Sequence, residues 1–402
     1  MKPKYDIIPV DGFEGAGLHS GVKRKKKDLG VIFAKDPCVA SGVFTQNITK
    51  AAPVLLSEKH IRSKDGIHAI VVNSGNANAL TGPQGAHDAQ TMADEVSCAF
   101  EVPSESVLVA STGIIGVAMP MEKINFSIKR LPVELSHNMT DFGQSILTTD
   151  TFLKVASLMV EMDGVPVTFL GLAKGSGMIH PNMATMLGFI LTDVPVEKAF
   201  MDQVLFEATD STFNMISVDG DTSTNDMVLM LASEKAQIQT IDEQSGHAHV
   251  FKTAVHAVCE SLAKQIAHDG EGATKMIEVK VEGAQNNADA KKAAKSVVSS
   301  SLVKAAFFGQ DANWGRIACA LGYSGAAFSP ERFDLSITSK LGSVAMVVDG
   351  IAQEFDEKYA FNVLRGDVLN VLIDLKIGQA TSKAWGCDLS YDYVKINGAY
   401  RS

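Results

Sequence analysis

Residues 174–193 read KGSGMIHPNMATMLGFILTD, and the run changes character half-way. Its first part is rich in turn residues and carries one cation, Lys174; from Met186 it is apolar, as a short buried strand would be. The junction is Ala184–Thr185. A threonine hydroxyl is a weak nucleophile near neutrality and needs a base, which cutting the preceding peptide bond supplies as the residue's own α-amine. That amine has a reference pKa of about 8 and so can accept a proton. Before the cut, the hydroxyl can attack the Ala184 carbonyl if the backbone is held in a strained turn, and Gly175, Gly177, Pro181 and Asn182 supply irregular backbone. The strand over 186–191 would then hold the new terminus. The same residues also suit a plain loop leading into a strand. Ala-Thr recurs at 208–209, 273–274 and 380–381, so the dipeptide alone decides nothing.

The wider composition narrows the field. A chain of 402 residues, 46% hydrophobic, can bury a large core as one big domain or a few ordinary ones. A net charge of −10 disfavours nucleic acid or an anionic membrane as the main partner and favours small polar metabolites. Five widely spaced cysteines with no CxxC pair indicate neither a disulfide framework nor a zinc knuckle. No apolar run reaches spanning length and the N-terminus has no secretory pattern, so a cytoplasmic location is expected.

Helical and strand periodicities are mixed along the chain. Ala89, Met92, Ala93, Val96 and Phe100 repeat at helical spacing, as do Phe251, Val255, Val258, Leu262 and Ile266. The runs 69–72, 107–110, 227–231 and 346–348 are short and apolar enough for core strands. An α/β protein of layered helices and sheets follows. The polar passage 283–290 is either a loop between lobes or the start of the Ala- and Lys-rich helix after it.

Other stretches carry chemistry only weakly by themselves. STGIIG (111–116) follows a strand, where its backbone N–H groups and the Thr112 hydroxyl can face a developing oxyanion, although an ordinary turn has the same residues. Glu271, between glycines after a helix end, can receive an ammonium, and Lys174 a carboxylate; each also reads as a surface charge. DGDTSTND (219–226) fails the calcium-loop test, with glycine at position 2 and Met230 at position 12, and reads as a polar loop with structural hydrogen bonds. His247 and His249 lack further ligands at zinc spacing, so no metal is expected. The basic run KRKKK (23–27) reads as a solvated loop in this acidic chain. There is no P-loop, no dinucleotide fingerprint and no GxSxG elbow.

Together these stretches resemble a family. GVFTQN (42–47) with AAPV (51–54), NSGNAN (73–78), STGIIG (111–116), KGSGMIHPNMATML (174–187), DGEGATK (269–275), NWGRI (313–317) and YVKIN (393–397) match, in order, the ornithine acetyltransferase / glutamate N-acetyltransferase family of arginine biosynthesis. The resemblance implies a layered sandwich of helices around stacked mixed β-sheets, related to self-processing aminopeptidases. It implies cleavage between Ala184 and Thr185 into chains 1–184 and 185–402, which stay together and assemble as a heterotetramer of two α and two β chains. Thr185 would be the nucleophile, Thr112 and Gly113 the oxyanion hole, and Thr148, Lys174, Thr185, Glu271, Asn397 and Ser402 the substrate contacts. A contact at Ser402 requires a buried tail, which the strand-like ending 391–397 would supply.

The implied reaction moves acetyl from N2-acetyl-L-ornithine to L-glutamate through an acyl-threonine, with no cofactor. Family members differ in whether acetyl-CoA also serves as donor, and no residue here settles it. Leu80, Gln310, Ala312 and Ser402 depart from the usual family residues. Two other classes fit the same residues: a self-processed aminopeptidase or amidohydrolase, in which water resolves the acyl-enzyme, and an uncut binding protein.

Overall fold

The structure, a computed structural model, describes residues 1–62, 66–180 and 186–399. Ala184, Thr185 and Ser402 lie outside them. Two compact units interleave along the chain: residues 1–175, 181–214 and 222–262 make the first, and 176–180, 215–221 and 263–402 the second. Each takes sequence from both sides of the Ala184–Thr185 bond.

In the first unit the strands are β1 (Glu14–Leu18), β2 (Leu29–Phe44), β3 (Ile67–Asn76), β4 (Val107–Ile114), β5 (Lys154–Met162), β6 (Val165–Lys174), β7 (Leu187–Thr192) and, after β8 of the second unit, β9 (Met227–Ala232). They form one sheet in the order β4-β3-β2-β9-β7-β6-β5, with β1 on β2. The opening run behaves as its composition asks. β7 lies between antiparallel β6 and parallel β9, and all six of its residues are buried, which is why it shows no polar alternation. Burying Phe189, Ile190 and Leu191 stabilises the fold by roughly 2 kcal/mol each.

β2 is the hinge of this sheet. Its first part pairs with β3 and its last six residues with β9, and the register shifts between Phe33 and Cys38, around exposed Pro37, which has no N–H to donate. One face of both halves enters a common core: Ile32, Val72 and Leu108 meet Leu172, Phe189 and Leu229 there. The helices are α1 (Ala52–His60), α2 (Gly82–Phe100), α3 (Met121–Ile128), α4 (Thr140–Ile146), α5 (Lys198–Ser211) and α6 (Ala248–His268), the last running on into the second unit. Phe142 of α4 stands edge-on to Phe189 at 5.2 Å in that core. The opposite face carries Val31, Val71 and Val109 against Met92 and Val96 of α2 and Ile124 of α3, so alternate residues of one strand feed two cores. Phe169 of β6 meets Phe251 of α6 at 5.6 Å, which covers the other outer face. This unit is therefore a layered sandwich.

The second unit has the sheet order β13-β12-β11-β14-β10-β15-β8, built from β8 (Ile216–Ser217), β10 (Met276–Ala284), β11 (Asp334–Ser339), β12 (Gly342–Val348), β13 (Ile351–Ala352), β14 (Val368–Asp374) and β15 (Ala380–Cys387). Its helices are α7 (Asn287–Ser299), α8 (Ser301–Phe308), α9 (Trp314–Gly322), α10 (Glu357–Val363) and α11 (Tyr391–Gly398). The passage 283–290 runs from the end of β10 into a helix start: Asn286 caps α7 by accepting the Asp289 N–H at 2.9 Å, and Ala290, Ala293, Ala294, Val297 and Val298 form its buried face. One expectation fails here. The ending 391–397 is helical, capped by Ser390, and none of its side chains is buried. The β-forming Tyr391, Tyr393, Val394 and Ile396 pointed to a strand, but that propensity yields to a local cap. All five cysteines are free, and among the described residues no helix is long and apolar enough to cross a membrane.

Candidate active site

Thr112 and Gly113 sit near the C-terminal end of β4, the edge strand of the first sheet, in parallel register with Ser74 and Gly75 of β3. Gly113 has φ +133°, and a Cβ there would lie 2.3 Å from the Gly75 carbonyl carbon, so no other residue fits. A buried polar network fixes this edge. Ser111 Oγ donates to Asn73 Oδ1 (2.5 Å), Asn73 Nδ2 to the Asn76 carbonyl (2.9 Å), and Asn225 Nδ2 to the carbonyls of Ala77 (2.5 Å) and Ser111 (2.9 Å). NSGNAN and the end of DGDTSTND thus hold the Thr-Gly backbone still, as pre-organised donors require.

Lys174 ends β6 with only 8% of its surface exposed, so it is no solvated lysine. Its Nζ donates to Thr112 Oγ1 at 3.4 Å, the long end of the hydrogen-bond range. Asp150 organises the residues around it. Its carboxylate accepts from the N–H groups of Thr148 (2.9 Å) and Gly175 (2.7 Å) and from Lys154 Nζ (2.6 Å), itself fully buried. Burial opposes the charge on Asp150, but Lys174, Lys154 and these donors outweigh it and hold the carboxyl well below the usual range. Asp226, which precedes β9, behaves oppositely: burial pushes its carboxyl well above the usual range, and its Oδ2 has no hydrogen-bond partner among the described residues. Lys23 corrects the solvated-loop reading of 23–27. Only Arg24, Lys25 and Lys26 are exposed; Lys23 turns inward, and its Nζ donates to the Leu147 carbonyl at 2.8 Å.

In the second unit Glu271 is 7% exposed, contrary to a surface role. Asn397 Nδ2 donates to its Oε2 at 2.8 Å. The glycines beside it are required by space: a Cβ on Gly177 would lie 2.4 Å from the Glu271 carboxylate carbon, and one on Gly272 (φ +69°) 2.5 Å from the Tyr393 nitrogen. Ser176 receives the Glu271 N–H at 2.9 Å, and Asp219 receives the N–H groups of Met178 (2.7 Å) and Ile179 (2.8 Å). His180 Nδ1 shares a hydrogen bond with Ser217 Oγ at 3.0 Å, and burial followed by the Lys295 charge lowers its pKa to about 4, keeping it neutral near pH 7. In the chain, only Gly175 and Ser176 separate Lys174 from Gly177.

The structure therefore joins Thr112, Gly113, Lys174 and, through Asp150, Thr148; separately it joins Glu271 to Asn397. Asp150, Asn225 and Lys23 were missed by sequence reasoning. Their only sequence signal was position: Asp150 closes LTTD beside Thr148, and Asn225 stands where a polar run meets an apolar strand.

The model of the ArgJ family matches residues 14–402. The chain belongs to the ArgJ family. Family relatives match it nearly end to end. An arginine biosynthesis bifunctional protein ArgJ from Thermotoga neapolitana is 48% identical over 97% of this chain and 99% of its own. One from Clostridium acetobutylicum, ArgJ 1, is 49% identical over 99% and 98%. A solved ArgJ chain from Bacillus halodurans is 46% identical, with a TM-score of 0.52, covering 54% of this chain and all of its own.

Proposed function

We infer that this member of the ArgJ family is an acetyltransferase of arginine biosynthesis that moves acetyl from N2-acetyl-L-ornithine to L-glutamate and also acetylates glutamate from acetyl-CoA. The Lys174 amine and the Thr112 hydroxyl beside the Gly113 turn carry this reading, together with relatives named as bifunctional. Thr185 Oγ attacks the acetyl carbonyl, and the α-amine of Thr185 takes the hydroxyl proton. Thr112 and Gly113 stabilise the oxyanion; the C–N bond breaks, the proton passes to the leaving amine, and ornithine departs. The glutamate amine then attacks the Thr185 ester, the C–O bond breaks, and acetylglutamate is released. With acetyl-CoA the leaving group is the thiol. Lys174 takes a substrate carboxylate and Glu271, oriented by Asn397, the side-chain ammonium of ornithine; Thr148 completes the contacts. No cofactor is needed.

Self-cleavage between Ala184 and Thr185 belongs to the same reading. The 185–402 piece would be 218 of 402 residues, a share equal to the 54% of this chain that the whole Bacillus halodurans chain covers. The two pieces would stay together because β6 pairs with β7, and β2 with β9, across the cut. A heterotetramer in the cytoplasm completes the proposal. The test is ornithine release from N2-acetylornithine with and without glutamate. Release that requires glutamate, with acetylglutamate formed in equal amount, is expected; release indifferent to glutamate would instead make the protein a self-processed amidohydrolase.

A further inference from the structure

The run at 23–27 is five consecutive basic residues in a chain of net charge −10, and the acetyl transfer described above leaves Arg24, Lys25 and Lys26 without a role. It is not a loose arm. Asp28, fully buried, accepts from the Ser20 N–H (2.5 Å), Ser20 Oγ (2.8 Å), the Gly21 N–H (3.2 Å) and the Lys23 N–H (2.8 Å). Lys123 Nζ donates to the Gly21 carbonyl at 3.2 Å, and Lys27 pairs with Asp141 at 2.5 Å. Both ends of the run are tied down. Its middle, Arg24 to Lys26, stands exposed, with no ion pair among the described residues.

The clamp sets the run beside the Thr112–Gly113 edge. A Cβ on Gly75 would lie 2.9 Å from Lys23 Cγ, and one on Gly113 would lie 2.3 Å from Gly75, so one backbone layer separates the base of the loop from Gly113. Lys23 continues to the Leu147 carbonyl, next to Thr148. Burial first, and then the charges of Lys26 and Lys174, lower the Lys23 pKa to about 8 against the pull of Asp28 and Asp150. The charges of Lys26 and Lys174 thus oppose the charge on Lys23, and an arriving anion offsets that opposition.

We propose that Arg24, Lys25 and Lys26 bind the phosphate groups of a coenzyme A thioester whose acetyl group enters at Thr112 and Gly113. Coenzyme A carries its thioester at one end of a long flexible arm and its phosphates at the other, so an acyl site with a fixed, exposed cationic loop beside it matches both ends. Arg24 supplies a planar fork for phosphate oxygens, and the lysines supply point charges. N2-acetylornithine has no phosphate and would not use the loop. A nucleic acid is the poorer fit, because the rest of this acidic surface repels a polyanion.

The inference rests on acetyl-CoA being a donor, and the experiment separates the two. Full-length protein and the triple variant Arg24→Gln, Lys25→Gln, Lys26→Gln are compared with acetyl-CoA, acetyl-pantetheine and N2-acetylornithine as donors, and desulfo-CoA binding is measured by calorimetry. The variant should raise KM for acetyl-CoA by about tenfold or more at unchanged kcat, and weaken desulfo-CoA binding in step. Acetyl-pantetheine and N2-acetylornithine should be unaffected, and added salt should weaken acetyl-CoA use only in the parent. An unchanged KM for acetyl-CoA, an equal loss on all three donors, or competition by inorganic phosphate as strong as that by desulfo-CoA would overturn the site while leaving bifunctionality intact. A parent that transfers from N2-acetylornithine yet neither uses acetyl-CoA nor binds desulfo-CoA would overturn both.

Discussion

The Asp150 carboxylate accepts the Gly175 N–H at 2.7 Å and the Lys154 ammonium at 2.6 Å, so one buried group both neutralises a buried cation and fixes the backbone that follows Lys174. Asp150→Asn takes the carboxylate at 2.6 Å away from the buried Lys154 ammonium and should cost about 3–5 kcal/mol in denaturant unfolding. Adding Lys154→Met should recover much of that stability. Acetyl transfer should stay low in the double variant, because Thr148 and Gly175 lose their charged acceptor; full recovery of transfer would confine Asp150 to a stability role.

Gly113 has no room for a side chain, whereas Gly116 (φ +75°) has nothing among the described residues within 4 Å of an added Cβ. Gly113→Ala should therefore shift the β4 edge and lower kcat by about 100-fold or more, on the scale of losing an oxyanion donor. Gly116→Ala carries only the left-handed backbone penalty, about 1 kcal/mol. Steady-state kinetics and thermal unfolding of the pair separate the two effects.

Thr185→Ala should give a single band of 402 residues on a denaturing gel where the parent is expected to give pieces of 184 and 218. It should form no acetylglutamate. Transfer at the parental rate by the uncut variant would remove Thr185 from the mechanism.

Glu271 is held by Asn397, and its proposed ligand is the ornithine ammonium. Glu271→Gln should raise KM for N2-acetylornithine by roughly 10- to 100-fold, the worth of a charged hydrogen bond. KM for acetyl-CoA, which has no such ammonium, should hold. Asn397→Ala should show a weaker form of the same selectivity.

Lys295, in α7, donates to the Ile216 carbonyl at 2.7 Å, and burial lowers its pKa from 10.5 to about 7. Between these values the unfolded chain binds the proton and the folded protein does not, so stability rises with pH across that window, by at most ~1.4 kcal/mol per pH unit. Lys295→Met should flatten the rise. Urea unfolding at several pH values between 7 and 10 reads this directly.

The sequence by itself determined the family and several of the elements. The runs of β4, β7 and β9 and the apolar faces of α2 and α6 were legible because burial writes itself into composition and spacing. The motifs named Thr112, Gly113, Lys174 and Glu271. Tertiary structure alone decided that Lys174 and Glu271 are buried, that Asp150 links Thr148 to Gly175, that Asn225 pins Ser111, and that Lys23 leaves its basic run to reach Leu147. The ending 391–397, read as a strand, is a helix because the local Ser390 cap outweighs β propensity. The physical reason is the range of the forces. Periodicity and caps act over a few residues, whereas the burial of a charge and the partner that makes it tolerable come from segments tens to more than a hundred positions apart, and no local pattern records that meeting.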